Sequence, residues 1–378
     1  MQLALGPVLL STRGYGSPET RRAYRRAAEL AARLGDDRAR FAATWGLWIT
    51  THGGGREDEE RLRHLGELVQ IADRIADPEL SLQAHHSGWA TWIWGGEFVR
   101  SQDHIRQGLA LYDPDKHRHH ALMYGGHDPA VCGKGQSAVA LWAMGYSDQA
   151  VQIAHEGITL AEGLGHVPSV LHSLWFAVAV CHLRRDLAAT RDYSERLLTL
   201  GHEHGLRQYH AIGGIFHGWA LIQSGSAEEG LAELRSCTGR YGATSWTMLG
   251  LFRAILAEAE LLSGNFEQAE EALAGTEEVG NRWWWAEFLR LRGDLQRSGP
   301  FRDRAAAEQS YREAIAVARG QQAKALELRA ATGLARLWRD EGGPDKARDL
   351  LAPVYGWFTE GLDTPDLVEA KALLASLA

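Results

Sequence analysis

Residues able to ligate a metal are concentrated in one short stretch of the sequence. Residues 113–135 contain Asp128 and four histidines, namely His117, His119, His120 and His127. Neutral imidazole nitrogens and a carboxylate oxygen suit Zn²⁺ or another divalent ion. A polar loop in which His127 and Asp128 bond to the turn backbone explains the same residues more simply. We therefore predict no metal and no cofactor, and keep a metal-dependent enzyme at this stretch as the weakest hypothesis.

Motifs for nucleotide binding or hydrolysis are not found in the chain. The stretch DPAVCGKGQS (128–137) comes nearest to a phosphate-binding loop. It has Asp128 where the first glycine is required, and Gly135 where Ser or Thr must follow the lysine. No GxSxG, HExxH or GxGxxG occurs between a strand and a helix. The sequence therefore predicts a protein that is not an enzyme.

A glycine period of about 40 residues identifies the elements that must position these side chains. Four turn glycines are each followed five residues later by a small residue, in the pairs Gly145/Ala150, Gly225/Gly230, Gly264/Ala269 and Gly342/Ala347. Extended backward, the same register reaches Gly96 and Gly55, and one slot is occupied by Arg185. A fixed period in this range is typical of a solenoid.

Each repeat contains two segments with apolar residues at helical spacing, which predicts a helical hairpin. Glycine supplies the left-handed conformation that ends the first helix, and the small residue lets the second helix approach closely. We predict an all-α, right-handed superhelical α-solenoid of tetratricopeptide-like hairpins. It has about nine hairpins and a capping helix near 364–378. Residues 1–378 form a single domain, with a non-repeat insertion near 113–135.

Tryptophan is unusually frequent, with 14 residues against 10 Tyr and 9 Phe. Counting from the turn glycines, the positions expected on the concave face hold Trp45, His52, His86, Trp142, Trp175, His182 and Trp219. Together with His127 and Asp128 at its entrance, this set predicts an aromatic groove with rigid anchors for a ligand. In the alternative interpretation, large rings fill the gaps between tightly wound repeats, as we expect for Trp48, Trp89 and Trp338.

The net charge bears on the class of partner, and the cysteine spacing bears on the cellular compartment. The 378 residues carry a formal net charge of −8 without a basic run, which argues against nucleic acid or a membrane surface as partner. The three cysteines, Cys132, Cys181 and Cys237, form neither a disulfide framework nor a zinc-finger spacing. We expect a cytoplasmic protein.

Several stretches resemble one group of bacterial proteins. They are YGGHDPAVC (124–132) with LWAMGYSDQA (141–150), GNRWWWAEFLRLRGDL (280–295) and LLAPVYGWFTEGLDTPDLVEAKALL (350–374). They resemble the C-terminal tetratricopeptide-repeat region of large signalling proteins in which a class III nucleotidyl cyclase or other regulatory domain precedes a STAND-type ATPase. The resemblance implies a sensor or scaffold portion, with the enzymatic domains elsewhere.

The leading functional hypothesis is a non-catalytic interaction or ligand-sensing module. Its partner would be a protein or peptide segment, or a small-molecule effector, bound in the aromatic groove. An alternative is a structural scaffold that self-associates and has no separate ligand.

Overall fold

The computed structural model describes residues 2–13, 16–51, 56–242, 248–274 and 282–377. Within these ranges all regular structure is helical, and no residue belongs to a strand. None of the described helices combines the length and the apolar character needed to span a bilayer. The prediction of an all-α fold is confirmed.

The helices pair into nine hairpins in the part of the chain that the structure describes, as the repeat predicted. The first half of the array comprises α1 (Gln2–Arg13), α2 (Pro18–Leu34), α3 (Asp37–Ile49), α4 (Arg56–Ile75), α5 (Pro78–Trp94), α6 (Phe98–Leu111), the short helices α7 (Pro114–His117) and α8 (His120–Met123), α9 (Pro129–Met144) and α10 (Ser147–Leu164). The second half comprises α11 (Val167–Leu183), α12 (Leu187–Glu203), α13 (Arg207–Gln223), α14 (Ala227–Gly242), α15 (Leu249–Leu262), α16 (Phe266–Leu273), α17 (Trp285–Arg297), α18 (Arg304–Gly320), α19 (Lys324–Asp340), α20 (Pro344–Tyr355) and the closing helix α21 (Pro365–Ser376).

The predicted turn positions adopt the left-handed conformation wherever they are described. The glycines concerned are Gly96, Gly145, Gly225, Gly264 and Gly342, with φ between 76° and 100°. Arg185 adopts the same conformation with a φ of 60°, although a residue with a Cβ is strained there. Gly55 lies outside the described residues. The period in the sequence thus marks true hairpin turns.

The small residue after each turn permits close helix packing, as predicted. Ala150, Ala269 and Ala347 are fully buried. A Cβ at Gly230 would lie 2.5 Å from the carbonyl oxygen of Gly218 on the partner helix, so no larger residue fits there.

Capping residues fix where many helices begin. Side-chain oxygens accept hydrogen bonds from first-turn backbone N–H groups at Ser17, Asp36, Asp77, Asp128, Asp186 and Asp303. Such caps satisfy donors that have no partner within the helix. Both first and second helices of the hairpins therefore have defined starts after short loops.

The first helices of the hairpins form the inner layer and the second helices the outer layer. α9, α11 and α13 are buried on nearly every side, whereas α10, α12 and α14 bury a single stripe rich in small residues. A helix that is apolar all round must be covered all round. The inner layer is therefore where a site enclosed by the solenoid has to lie.

The predicted insertion is shorter than expected. α7 and α8 occupy its first part, but helix α9 already begins at Pro129, with Asp128 as its N-cap. The GKG sequence at 133–135 is therefore helical, and no phosphate-binding loop forms there. The insertion is a compact pair of short helices between the third and fourth hairpins.

The last hairpins fold back onto the middle of the array. The carboxylate of Glu360 accepts a hydrogen bond of 2.8 Å from the backbone N–H of Asp148. Arg329 on α19 donates to the carbonyl oxygen of Leu183 at 2.7 Å, and the rings of Trp142 and Trp284 lie 6.2 Å apart. The concave side is thereby closed over much of its length, and cavities replace an open groove.

Candidate functional site

Two separate cavities lie along the inner helices. The first is a cavity of about 100 Å³ whose polar groups are mainly histidines, and we call it the histidine cavity. The second, of about 430 Å³, is lined by charged side chains, and we call it the arginine cavity. α11 and α13 contribute their first halves to the histidine cavity and their second halves to the arginine cavity. The same helices thus position both sites.

The histidine cavity is walled by aromatic rings. Residues of six helices and loops meet there, among them Trp48, Trp94, Trp175, His86, His127 and His172. Trp48 and Trp94 stack nearly parallel, with ring centroids 6.0 Å apart. His172 and His127 stack at 3.7 Å. The cavity is therefore apolar in its walls and carries polar nitrogen atoms at a few defined points.

A chain of hydrogen bonds orients His86 in this cavity. Nδ1 of His86 donates to Oε1 of Gln83 at 3.1 Å, and Nε2 of the same amide donates to Nδ1 of His120 at 2.9 Å. Burial holds the pKa of His86 well below its usual value, and His127 and His120 lower it further. His86 is therefore neutral near pH 7, and the lone pair of its other ring nitrogen is free to accept a bond.

His127 and Cys132 complete the polar side of the histidine cavity. Burial lowers the pKa of His127 to about 4 and raises that of Cys132 to about 12, so both are uncharged near neutral pH. Among the described residues, neither ring nitrogen of His127 has a hydrogen-bond partner of good geometry, and the Gly125 backbone is the polar group that acts on the ring. One ligand atom each from His86, His127 and Cys132 lies within 4.8 Å of the others.

The arginine cavity is lined by five arginines and four carboxylates. The cations are Arg185, Arg290, Arg297, Arg329 and Arg336, and the anions are Glu258, Asp294, Asp366 and Glu369. The acid that ties this wall together is Glu287, which lies behind it with 3% of its surface exposed. Arg290 and Arg329 pair with the same Glu287 oxygen, at 2.7 and 3.2 Å.

Charge pairing sets the protonation of this network. Burial alone would raise the pKa of Glu287, but Arg290 and Arg329 hold it below its usual value. Burial opposes the charge of Arg329, but Asp366 and Glu287 raise its pKa above the usual range. These groups are therefore charged near neutral pH, in an interior that tolerates charge only in pairs.

One guanidinium in the arginine cavity is left over. Among the described residues Arg297 takes part in no ion pair, and its buried Nε has no hydrogen-bond acceptor. The other four arginines each pair with at least one acid. The cavity therefore has an unused set of donors that suits a carboxylate or another planar anion.

Arg185 links this cavity to the closing helix. Its guanidinium lies 2.5 Å from Glu369 and 3.4 Å from Asp366, both on α21. Arg329 reaches Asp366 at 2.7 Å. Arg185 occupies the turn position that holds glycine in other repeats. Its strained backbone conformation thus places a cation at a position where a glycine has no side chain.

The predicted site residues divide between the two cavities instead of forming one groove. Of these positions, His86, His127 and Trp175 line the histidine cavity, and His182 and Trp219 line the arginine cavity. Trp142 lines a gap of about 20 Å³ under α21, and Trp45 packs against Trp48 and Tyr124. His52 lies outside the described residues. The closure of the superhelix is the physical reason for the division. Contact of these residues with a ligand stays a prediction.

Asp128 and the other insertion histidines have local roles. Asp128 caps α9 and accepts a hydrogen bond from Tyr112 at 2.9 Å. His119 and His120 approach Glu79 at 3.9 and 3.6 Å, on the partly exposed outside of α5. The capping explains Asp128 as the simpler sequence interpretation did, and the turn backbone at Gly125 interacts with His127.

Sequence analysis missed residues that the structure brings to both cavities. His172 lies one helical turn before Trp175 on α11, and this spacing could have revealed it. Arg290, Asp294 and Arg297 follow at intervals of four and three, which puts them on one face of α17. A helical-face analysis of charged residues would have found the arginine cavity's main wall.

Comparison with known sequences gives one distant relative. No family model matches the chain. An uncharacterized protein of Rhizobium meliloti (strain 1021) is 31% identical over 341 residues, which cover 86% of this chain. The matched part is 32% of that protein, so the chain spans about a third of the relative's length.

Solved structures with similar architecture are helical-repeat proteins. A Rap protein complexed with competence and sporulation factor matches with a TM-score of 0.64 and 10% identity, covering 100% of this chain and 98% of that one. The human IFIT1 dimer with m7Gppp-AAAA matches with a TM-score of 0.50 and 14% identity, covering 89% and 77%. At such identities the likeness concerns the fold, which is a tetratricopeptide-like solenoid.

Proposed function

We propose that this chain is a non-catalytic, ligand-sensing repeat module whose arginine cavity binds an anionic group of a peptide segment or a small effector. The unpaired guanidinium of Arg297 is the observation that carries the proposal. A buried donor without an acceptor is costly, and a carboxylate or phosphate would supply the missing bonds. His182 and Trp219, two of the predicted residues, stand in the same wall.

The dimensions of the cavity support a ligand of limited size. Its volume of about 430 Å³ falls within the range of ordinary small-molecule pockets, about 300 to 1,000 Å³. A short peptide segment or one side group of a larger partner fits that space. The Rap structure, solved with competence and sporulation factor, shows that this fold has held a ligand.

A nucleic-acid ligand is less favoured, although IFIT1 of the same fold was solved with m7Gppp-AAAA. The chain has a net charge of −8, and four carboxylates lie among the arginines of the cavity. A phosphate backbone would meet these acids at close range. An anionic peptide or effector needs only the one unpaired guanidinium and its immediate neighbours.

The closing helix offers a route for regulation. Asp366 and Glu369 of α21 belong to the cavity wall, so a ligand that engages Arg185 or Arg329 competes with them for the same guanidinium groups. Binding would change how firmly α21 is held.

Because the relative from Rhizobium meliloti is about three times as long, we propose that the chain is the regulatory part of a longer cytoplasmic signalling ATPase or cyclase.

A thermal-shift panel tests the proposal. Short acidic peptides, matched basic peptides and capped oligoribonucleotides are each added to the purified chain. We expect a shift in melting temperature with acidic peptides only. Arg297→Gln should weaken their binding about 10- to 100-fold, because a hydrogen bond to a charged group contributes about 1.5–3 kcal/mol.

Arg106→Gln is the matched control, since Arg106 is exposed on α6 and its ion pair among the described residues is with Asp103, one turn away. It should leave binding unchanged. Equal binding by the Arg297 variant, or a response confined to RNA, would contradict the proposal. A dimer at all concentrations in light scattering, with no response to any probe, would favour the scaffold alternative.

A further inference from the structure

Three buried ligand atoms converge at the edge of the histidine cavity without any charge or ion pair to explain them. Nitrogen atoms of His86 and His127 and the sulfur of Cys132 lie within 4.8 Å of one another, and all three side chains are buried. His86 stands on α5 and Cys132 on α9, while His127 is the second residue before α9. Residues from two hairpins therefore meet at one point.

We propose that His86, His127 and Cys132 bind one thiophilic metal ion, with Zn²⁺ as the best fit. Two imidazole nitrogens and a thiolate are a soft and borderline donor set, which suits Zn²⁺ and excludes Mg²⁺ and Ca²⁺. Around a tetrahedral zinc, ligand atoms lie about 3.5 Å apart, given bonds of about 2.0–2.3 Å. A closing movement of about 1 Å, within the range of side-chain rotation, forms the site.

The surroundings of His86 select the nitrogen that faces the metal. Nδ1–H of His86 donates to Oε1 of Gln83, so Nε2 carries the lone pair. The same Gln83 amide bonds to His120 through its Nε2, so one side chain orients both rings. Metal-binding histidines commonly have such a hydrogen bond from the second nitrogen, since it fixes the tautomer and ring orientation.

His127 supplies the independent sign that a ligand is needed. It is 6% exposed, and neither ring nitrogen has a hydrogen-bond partner of good geometry among the described residues, the Gly125 backbone being the polar group that acts on the ring. Polar atoms buried this deeply nearly always have a partner. His172 stacks parallel to the ring of His127 at 3.7 Å, and Nδ1 of His172 lies 3.2 Å from the hydroxyl of Tyr209.

The fourth coordination position opens into the cavity. Gln136, one turn after Cys132, donates to Sγ of Cys132 at 3.5 Å, and its Oε1 is buried without a partner among the described residues. A water molecule on the metal would donate to that oxygen. Three protein ligands and one water is the arrangement of an open zinc site. On binding, the Cys132 thiol releases its proton to solvent and the sulfur–metal bond forms.

A second group of residues, Glu79, His119 and His120, is a poorer candidate. Glu79 and His119 are largely exposed, and their separations are those of ordinary ion pairs. His120 already accepts a hydrogen bond from Gln83 through Nδ1. The group of Glu79, His119 and His120 therefore serves as an internal control for the proposed site.

The experiment uses the whole chain after removal of metal with a chelator. Zn²⁺ is titrated against a chromophoric competitor, and Co²⁺ is added in a parallel absorption measurement. We expect one equivalent of Zn²⁺ and a thiolate-to-cobalt charge-transfer band. Cys132→Ser should abolish the band, and His127→Gln should weaken Zn²⁺ binding by at least 100-fold. Mg²⁺ should not compete.

Controls separate this site from other thiols and histidines. Cys181→Ser removes a buried cysteine elsewhere on α11, and His119→Gln alters the Glu79 group; both should bind as the unaltered chain does. Gln83→Leu should weaken binding about 10-fold, as loss of an orienting bond does. Absence of the cobalt band in the unaltered chain, or full Zn²⁺ binding by Cys132→Ser, would overturn the proposal, whatever the fold stability of the variants.

Discussion

The two cavities share helices α11 and α13 but keep their polar groups in opposite states. In the histidine cavity burial keeps His86, His127 and Cys132 uncharged. In the arginine cavity burial opposes the charges of Glu287 and Arg329, but their ion pairs keep both of these groups ionised. One solenoid can therefore hold a set of uncharged donors and a network of paired charges within the same inner layer.

The largest effect should follow from removing the ring between these regions. Trp142 stands on α9, which also carries Cys132, and its ring lies under the guanidinium of Arg329 at 4.9 Å. Trp142→Ala should lower the free energy of unfolding by about 4 kcal/mol, because a large buried ring leaves a cavity. Urea denaturation measures it. Trp357→Ala, at a partly exposed ring, should cost clearly less, and equal losses would contradict the packing described.

A charge removed from the arginine network should cost somewhat less. Glu287→Gln leaves Arg290 and Arg329 buried without their shared anion, and should destabilise the chain by about 3 kcal/mol. Asp103→Asn on the exposed surface, next to Arg106, should change stability by less than about 0.5 kcal/mol. If both variants unfold at the same urea concentration, the network is not a buried one.

Lowering the pH should decrease the free energy of unfolding, because His127 of the histidine cavity takes up a proton when the chain unfolds. The pKa of His127 is about 4 in the folded chain and about 6.5 when unfolded, so the unfolded chain binds more protons between these values. Stability contributed by this residue is present above pH 6.5 and lost as the pH falls toward 4. The loss from pH 7 to 5 is about 2 kcal/mol. His127→Gln should make the stability measured by urea denaturation between pH 7 and pH 5 less dependent on pH, and an unchanged slope would refute this assignment.

The smallest effect concerns the strained turn of the arginine cavity. Gln322 and Arg185 share a left-handed φ, 55° and 60°. Gln322→Gly should stabilise the chain by about 1 kcal/mol by relieving strain. Arg185→Gly should gain less, because the pairs with Asp366 and Glu369 contribute about 0.5 kcal/mol or more. Equal gains in thermal melts would mean that these pairs contribute nothing.

Local chemistry explains why so much of the fold could be predicted from the sequence. A glycine such as Gly145, a small residue such as Ala150 and a cap such as Asp186 act within one hairpin, so a single period reveals them. The predicted open groove depended on the course of the whole superhelix. That course is set by contacts such as Glu360 with Asp148, which are 212 residues apart and leave no periodic pattern. The register therefore placed residues such as Trp175 and Trp219 on the inner helices, whereas their division between two cavities depends on these distant contacts.

The contact between the end and the middle of the chain has a consequence for folding. In an open repeat array each unit touches only its neighbours, so the ends unfold independently and denaturation spreads along the chain. Here the segment around Glu360 and Gly361 binds Asp148 through both backbone and side-chain bonds. The last hairpin cannot separate from the array without breaking these bonds and exposing the surface of the fourth hairpin that it covers. We therefore expect the described array from the fourth hairpin onward to unfold as one cooperative unit, as a globular domain does.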